Sequence, residues 1–236
     1  MEKLQKYIHY GAKGKILARK LYNLSCRTRK DLLEHIKSGS LPKLPNISQI
    51  YIKYNPKTNI KNSIAKKIIS KLNAVISKLR YCTSSKNQKS KYKIIPVGSV
   101  RREEKMHSDI DLLLVNDNSV SDNSVNDNSV NISCKNFIFV EGKNRHQKYI
   151  FTMGKTNYLI DIFICVKSEL PYMLFHYTGD KHYNIRTRAY AKKKGFLLNQ
   201  YGLWNISNKK KVLNINSEKD LISFLQISYR EPKKRH

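Results

Sequence analysis

Apolar positions along this chain fall into two patterns. Between residues 92 and 166, short apolar runs alternate with polar turns, which predicts strands at 92–97, 109–115, 137–140, 149–152 and 157–164 of one mixed sheet. The first eighty residues are basic and helical, with a run from Ile16 to Leu24 and a second segment opened by Thr28-Arg29-Lys30-Asp31-Leu32-Leu33. After Leu170 the pattern turns helical again. Asp180 is placed to cap a helix over 181–194, which Gly195 stops. Segments 197–204 and 211–215 predict a hairpin around Ser207-Asn208-Lys209, and Ser217, with an acid three positions on, opens a last helix. Trp204 and Phe224 are assigned to the core. The pattern describes an α+β (mixed α/β) chain: helical residues 1–83, a polar linker at 84–91, a sheet region at 92–166 and a C-terminal unit at 167–236.

Candidate chemistry concentrates in the fourteen positions from Gly98 to Asp111. Val97-Gly98-Ser99-Val100-Arg101-Arg102 precedes His107-Ser108-Asp109-Ile110-Asp111-Leu112-Leu113-Leu114. Side chains alternate along a strand, so Asp109 and Asp111 share one face. Two carboxylates side by side repel each other unless a cation lies between them, as in an oxygen-rich Mg²⁺ site. The Gly-Ser turn offers free N–H groups and a hydroxyl to phosphate, and Arg101 and Arg102 add charge. Asp161 is the one charge in the apolar run Tyr158-Leu159-Ile160-Asp161-Ile162-Phe163-Ile164. Unpaired burial there is costly, so either an Arg or Lys partner or a metal must accompany it. Asp-x-Asp alone, or Gly-Ser alone, is common. Together, in strand–turn–helix–strand order, they point to nucleotidyl transfer.

Composition narrows the partners. The chain carries 46 Lys and Arg against 17 Asp and Glu, a formal charge of +29, whose self-repulsion suits a polyanionic partner. No stretch approaches the ~18 apolar residues of a membrane span, and Met-Glu-Lys-Leu-Gln lacks the apolar core of a signal peptide. Cys26, Cys82, Cys134 and Cys165 show no Cys-x-x-Cys spacing and read as reduced thiols of a reducing compartment. A five-residue repeat rich in Asn, Asp and Ser fills 116–130. It suits a surface loop better than a calcium site built on Asp117, Asp122 and Asp127. Near the amino terminus, Tyr10-Gly11-Ala12-Lys13-Gly14-Lys15 reads as a Gly-rich hairpin able to set N–H groups against phosphates, or else as an ordinary helix–helix turn.

Further blocks carry a resemblance. Tyr177-Thr178-Gly179, Arg188-Ala189, the Lys194-Gly195 turn, Ser217-Glu218-Lys219-Asp220 and Tyr229-Arg230-Glu231-Pro232-Lys233 join the Gly-Ser and Asp-x-Asp block. The whole resembles the family X DNA polymerases, relatives of polymerase beta. Poly(A) polymerases and tRNA-tailing enzymes share the Gly-Ser and Asp-x-Asp core but neither of the last two blocks. Size and the Arg-Arg-Glu-Glu-Lys-Met run look most like the short family X repair polymerases of large DNA viruses.

The resemblance implies a nucleotidyltransferase palm at 92–166 with a low-complexity loop at 116–131, helical fingers with a helix–hairpin–helix at 1–83, and a thumb at 167–236. It implies template-directed addition of a dNMP to a primer 3′-hydroxyl, filling short gaps in base excision repair, with two Mg²⁺ ions for which Mn²⁺ substitutes. Asp109, Asp111 and Asp161 are the implied metal ligands and catalytic residues. Gly98, Ser99, Arg102, Ser108, Tyr177, Gly179 and Asn184 would bind the nucleotide. Gly11, Lys13, Gly14, Lys15 and Arg188 would contact DNA. Implied partners are gapped or primer–template DNA, a dNTP and a DNA ligase of the same pathway, for a monomer with no membrane partner. The expected setting is intracellular: cytoplasmic for a viral enzyme, nuclear as the alternative. Fewer than a dozen residues precede the expected hairpin, so no lyase domain is expected. The chain departs from the family at Ala12, Ser108, His176 and Leu159, none of them a metal ligand. Two other classes stay open here: a template-independent or RNA-tailing nucleotidyltransferase, and a non-catalytic DNA-binding protein.

Overall fold

The computed structural model describes residues 11–40, 44, 46–76, 92–116, 132, 136–143 and 145–235. Along them run α1 (Gly11–Asn23), α2 (Arg29–Ser38), α3 (Asn46–Tyr54), β1 (Ile60–Lys61), α4 (Asn62–Ile76), β2 (Tyr92–Pro96), the single turn α5 (Gly98–Arg101), β3 (Met106–His107) and β4 (Ile110–Asn116). There follow β5 (Phe137–Lys143), β6 (His146–Met153), β7 (Thr156–Val166), α6 (Leu170–Thr178), α7 (Lys181–Lys193), β8 (Phe196–Asn199), β9 (Gly202–Asn205) and α8 (Glu218–Phe224). The expected linker, the repeats beyond Asn116, Cys82 and Cys134 lie outside the described residues.

The five expected strands form one sheet in the order β2-β4-β7-β6-β5, antiparallel except where β4 runs parallel to β7. Strand β7 is apolar because both of its faces are covered. Ile160, Ile162 and Ile164 pack with Ala65, Ile68 and Leu72 of α4. On the other face Leu159 packs with Tyr51 of α3, while Phe163 and Cys165 pack with Met173 of α6. Asp161 belongs to that second face and stands between its two packed ends. Each fully buried Ile or Leu contributes about 2 kcal/mol, which offsets the cost of holding one carboxylate among them.

The N-terminal helices have a small core of their own, with Leu21, Cys26, Leu32 and Ile52. Thr28 caps α2: its hydroxyl accepts from the Asp31 N–H at 3.3 Å, and the Asp31 carboxylate accepts from the Thr28 N–H at 2.8 Å. The Gly-rich segment differs from expectation. Helix α1 begins at Gly11, so the proposed hairpin is the helix's first turns. Ala12, Lys13 and Lys15 are strong helix formers and carry the ~1 kcal/mol cost of an interior Gly14. The reversal falls instead at 24–28, where Ser25 takes φ 62°.

In the C-terminal unit, the Asp180 carboxylate accepts from the Tyr183 N–H at 2.8 Å and starts α7 as expected, and Gly195 follows its end at φ 83°. The hairpin is displaced. Strands β8 and β9 pair with each other, Phe196 opposite Asn205, and the chain reverses where Asn199 Oδ1 accepts from the Tyr201 N–H at 2.8 Å. This local side-chain turn splits the 197–204 run that apolar spacing reads as one strand. From the 211–215 segment, Lys211 makes an isolated bridge to Trp204. Phe224 is 42% exposed and meets Phe196 edge-on, rather than lying in the core; Trp204 is half-buried.

Glu218 joins this unit to the sheet. Its buried carboxylate accepts from Arg101, the last residue of α5, and from Arg235 at 2.8 Å. Arg235 is itself buried, donates to the Arg230 carbonyl at 2.9 Å and lies over the Phe175 and Tyr229 rings. Glu218→Gln leaves two guanidinium groups facing a neutral amide, a change that costs about 3–5 kcal/mol at a buried pair. Urea denaturation should show a midpoint lowered accordingly, and Arg235→Met in the same chain should recover part of the loss. An unchanged midpoint would contradict the buried pairing.

Candidate active site

The parallel register of β4 and β7 sets Asp111 opposite Asp161, and Asp109 stands two residues before Asp111 on the same face. Ligand atoms of all three carboxylates lie within 4.8 Å of one another, with Asp109 and Asp111 partly exposed and Asp161 buried. Among the described residues the ion-pair partner of Asp161 is His146, at 3.5 Å, rather than an Arg or Lys. Its Oδ1 is buried without a hydrogen-bond partner. Three hard oxygen donors around an unsatisfied buried oxygen fit a divalent cation.

Gly98 brings the Gly-Ser turn onto this cluster. It takes φ +58°, and a Cβ there would lie 2.0 Å from Asp111 Oδ2. Only glycine permits both the left-handed backbone and so close an approach. The Val97 N–H donates to the Asp111 carbonyl at 2.9 Å, locking the turn to β4. Ser99 shares a 2.8 Å hydrogen bond with Nδ1 of buried His107, whose pKa burial lowers. Ser108, at the family's glycine position, donates to Asp109 Oδ1 at 2.8 Å. Arg102 is engaged with Glu104 and the Thr178 carbonyl, so it bridges the turn to the end of α6. Gly179 leaves room for this: a Cβ there would stand 3.1 Å from the Arg102 guanidinium.

Beyond the carboxylates, three rings stack. His146 lies on Phe163 with centroids 4.4 Å apart, and Phe163 lies on Tyr177 at 3.8 Å. Burial pushes the Tyr177 phenol up to about 12. Asn184 donates to the His176 carbonyl at 2.6 Å, and Arg188 hydrogen-bonds His176 Nδ1. Burial, then the Arg188 charge, bring His176 down to about 4, so its neutral ring accepts from the guanidinium. His176 thereby holds both side chains expected to read the nascent pair. The expected DNA contacts Gly11, Lys13, Gly14 and Lys15 lie on α1, apart from this cluster in the sequence and on a separate helix. Sequence reading missed His146 and Tyr51, and it gave the Arg101 charge to phosphate, whereas Arg101 is engaged with Thr178 and Glu218. Tyr51 stands on α3 near the carboxylates, which together with burial raise its pKa. Only the pairing register and the α3 packing bring His146 and Tyr51 to the site, so neither carried a local signal.

Burial, then Asp109 and Asp161, push Asp111 up to about 8 when no cation is bound, and burial also raises Asp109. A carboxyl whose folded pKa is raised contributes stability below its unfolded pKa, near 4, and loses it as pH climbs through about 8. Metal-free protein should therefore lose stability between pH 4 and 8. Asp111→Asn, which cannot ionise, should raise the Tm of the metal-free protein at pH 8 by several degrees and leave it nearly unchanged at pH 4. Equal Tm values at pH 8 would show that the charge is not crowded.

Residues 76–186 match the nucleotidyltransferase domain family, and 173–236 match the DNA polymerase beta thumb family. Repair DNA polymerase X of African swine fever virus (isolate Tick/Malawi/Lil 20-1/1983) is 43% identical over 143 residues, 60% of this chain and 80% of that one. DNA polymerase lambda of Rattus norvegicus is 27% identical over 161 residues, 28% of its length. Among solved structures, Leishmania infantum polymerase beta in a ternary gap complex superposes with a TM-score of 0.78 at 20% identity, covering 99% of this chain and 88% of that one. The same protein in a ternary P/T complex gives 0.75 at 18%, covering 99% of both.

Proposed function

This chain belongs to the family X DNA polymerases, and from that premise we propose that it fills short gaps in duplex DNA under template direction, adding a dNMP to a primer 3′-hydroxyl with release of pyrophosphate. The observation that carries the reading is the triad Asp109, Asp111 and Asp161, gathered within 4.8 Å in the gap between two packed ends of one sheet face. Asp109 and Asp111 would hold two Mg²⁺ ions, or Mn²⁺ in their place, with Asp161 on the ion at the primer terminus. Such a pair stabilises the attacking and leaving oxygens of an in-line displacement.

The chain's own groups supply the rest. Backbone N–H groups of the Gly98 turn, the Ser99 hydroxyl and Arg102 face the triphosphate, while Ser108 orients Asp109 through its hydrogen bond. Tyr177, stacked on Phe163, offers a rigid face to the deoxyribose, beside Gly179. Asn184 reads the minor-groove edge of the incoming base and Arg188 the template strand, both set by His176. The start of α1, with Gly11, Lys13, Gly14 and Lys15, would contact the DNA backbone from a helix rather than from a hairpin. No helix among the described residues is long and apolar enough to cross a membrane. Cys26 and Cys165 are free and buried, as thiols of a reducing compartment would be.

Primer extension on three substrates tests the reading: a one-nucleotide gap, an open template–primer and a single strand. The gap should be filled fastest and the single strand left unextended. Efficient extension of the single strand would favour the template-independent alternative.

A further inference from the structure

A polar cavity opens on the carboxylate face of the sheet, beyond the end of α3. It measures 650 Å³ and lies between the 53–59 segment, which leaves α3, and the β6–β7 turn at 155–157. Arg29, Lys53, Lys57 and Lys155 line it, and no lining residue is acidic. None of these four cations forms an ion pair among the described residues.

The walls are tied together. The Lys57 N–H donates to the Asn157 carbonyl at 2.8 Å, and Asn157 Nδ2 donates to the Tyr54 carbonyl at 2.6 Å. Arg29 donates to the carbonyls of Ile52 and Lys53 at 2.6 and 2.7 Å. The rim is thus fixed by hydrogen bonds to four backbone carbonyls while Lys53, Lys57 and Lys155 stay exposed. Like charges held together on a rigid frame repel one another until an anion enters.

Position identifies the anion. Asn157 and Asp161 lie on one face of β7 four residues apart, about 13 Å at ~3.3 Å per residue, with the α3 contact at Leu159 between them. Duplex DNA rises ~3.4 Å per base pair, so a duplex whose axis follows β7 past α3 would reach the cavity about four base pairs from the carboxylates. We infer that this cavity is a phosphate-binding site for the DNA backbone, which holds the duplex about four base pairs from the reacting end. The inference rests on the polymerase reading. Its contacts are to phosphate and carry no sequence information.

The test is equilibrium binding of a primer–template duplex across a salt series, followed by fluorescence anisotropy, for wild type, K57A/K155A and K66A/K71A. The last pair removes the same charge from exposed positions of α4, which packs on the opposite face of the sheet. Each phosphate contact contributes roughly −0.9 to the slope of log K against log salt. K57A/K155A should lose about one to two units of slope. At low salt its binding should weaken about tenfold, and incorporation at saturating DNA should stay within about twofold of wild type. K66A/K71A should keep the wild-type slope. An unchanged slope in K57A/K155A, or an equal loss in both pairs, overturns the inference. A wild type that binds duplex but incorporates no nucleotide counts against the polymerase reading alone, because the binding comparison still decides this one.

Discussion

Asp111→Asn should lower single-turnover nucleotide incorporation by roughly 10³-fold or more, about 4 kcal/mol of barrier. The side chain keeps its size and its place opposite Asp161 but loses the charge that two cations would share. DNA affinity, carried by the excess of 46 basic over 17 acidic residues, should stay near wild type. The paired assays separate the outcomes. Loss of both activities would point to misfolding, and incorporation within about tenfold of wild type would be too small a loss for a shared metal ligand.

Gly98→Ala should be nearly as damaging, for a purely steric reason. Its Cβ would stand 2.0 Å from Asp111 Oδ2, a distance no pair of atoms tolerates, in a backbone conformation of φ +58° that costs an L-residue about 1–2 kcal/mol. Either the turn lifts off β4 or the carboxylate rotates away from Asp109 and Asp161. Both moves separate the proposed triphosphate cradle from the proposed metal ligands, so kcat should fall about a hundredfold, the scale of a 1 Å misplacement at a reacting centre. The Mg²⁺ concentration needed for half-maximal rate should rise as well. Wild-type kinetics in the alanine variant would show that the turn and the carboxylate are less tightly packed than this.

Much of this site was legible along the chain. Alternation alone put Asp109 and Asp111 on one face, and the apolar run around Asp161 marked a charge that needed a partner. The triad as a set was legible only through the family resemblance, because the Asp111–Asp161 pairing depends on a parallel register set by a crossover through β5 and β6. His146 reaches Asp161 through the β6–β7 register, and Arg101 reaches Glu218 across 117 positions. No local pattern encodes either contact. Errors arose where a side chain overruled the apolar period. Asn199 turned the chain inside one predicted strand, and the helix formers around Gly14 carried α1 through a predicted hairpin. Leu159, read as a departure from the family, has a structural use: it packs against Tyr51 and joins α3 to the carboxylate face.

Template direction by the Asp109, Asp111 and Asp161 site is the central claim, and a template-swap assay tests it most directly. Four one-nucleotide gapped duplexes, differing only in the unpaired template base, are each offered the four dNTPs with Mg²⁺, and the added nucleotide is identified by mass. The account predicts one addition per gap, a product that follows the template base, and no product with Asp111→Asn. The same nucleotide added to all four gaps, or undiminished addition by Asp111→Asn, would contradict it.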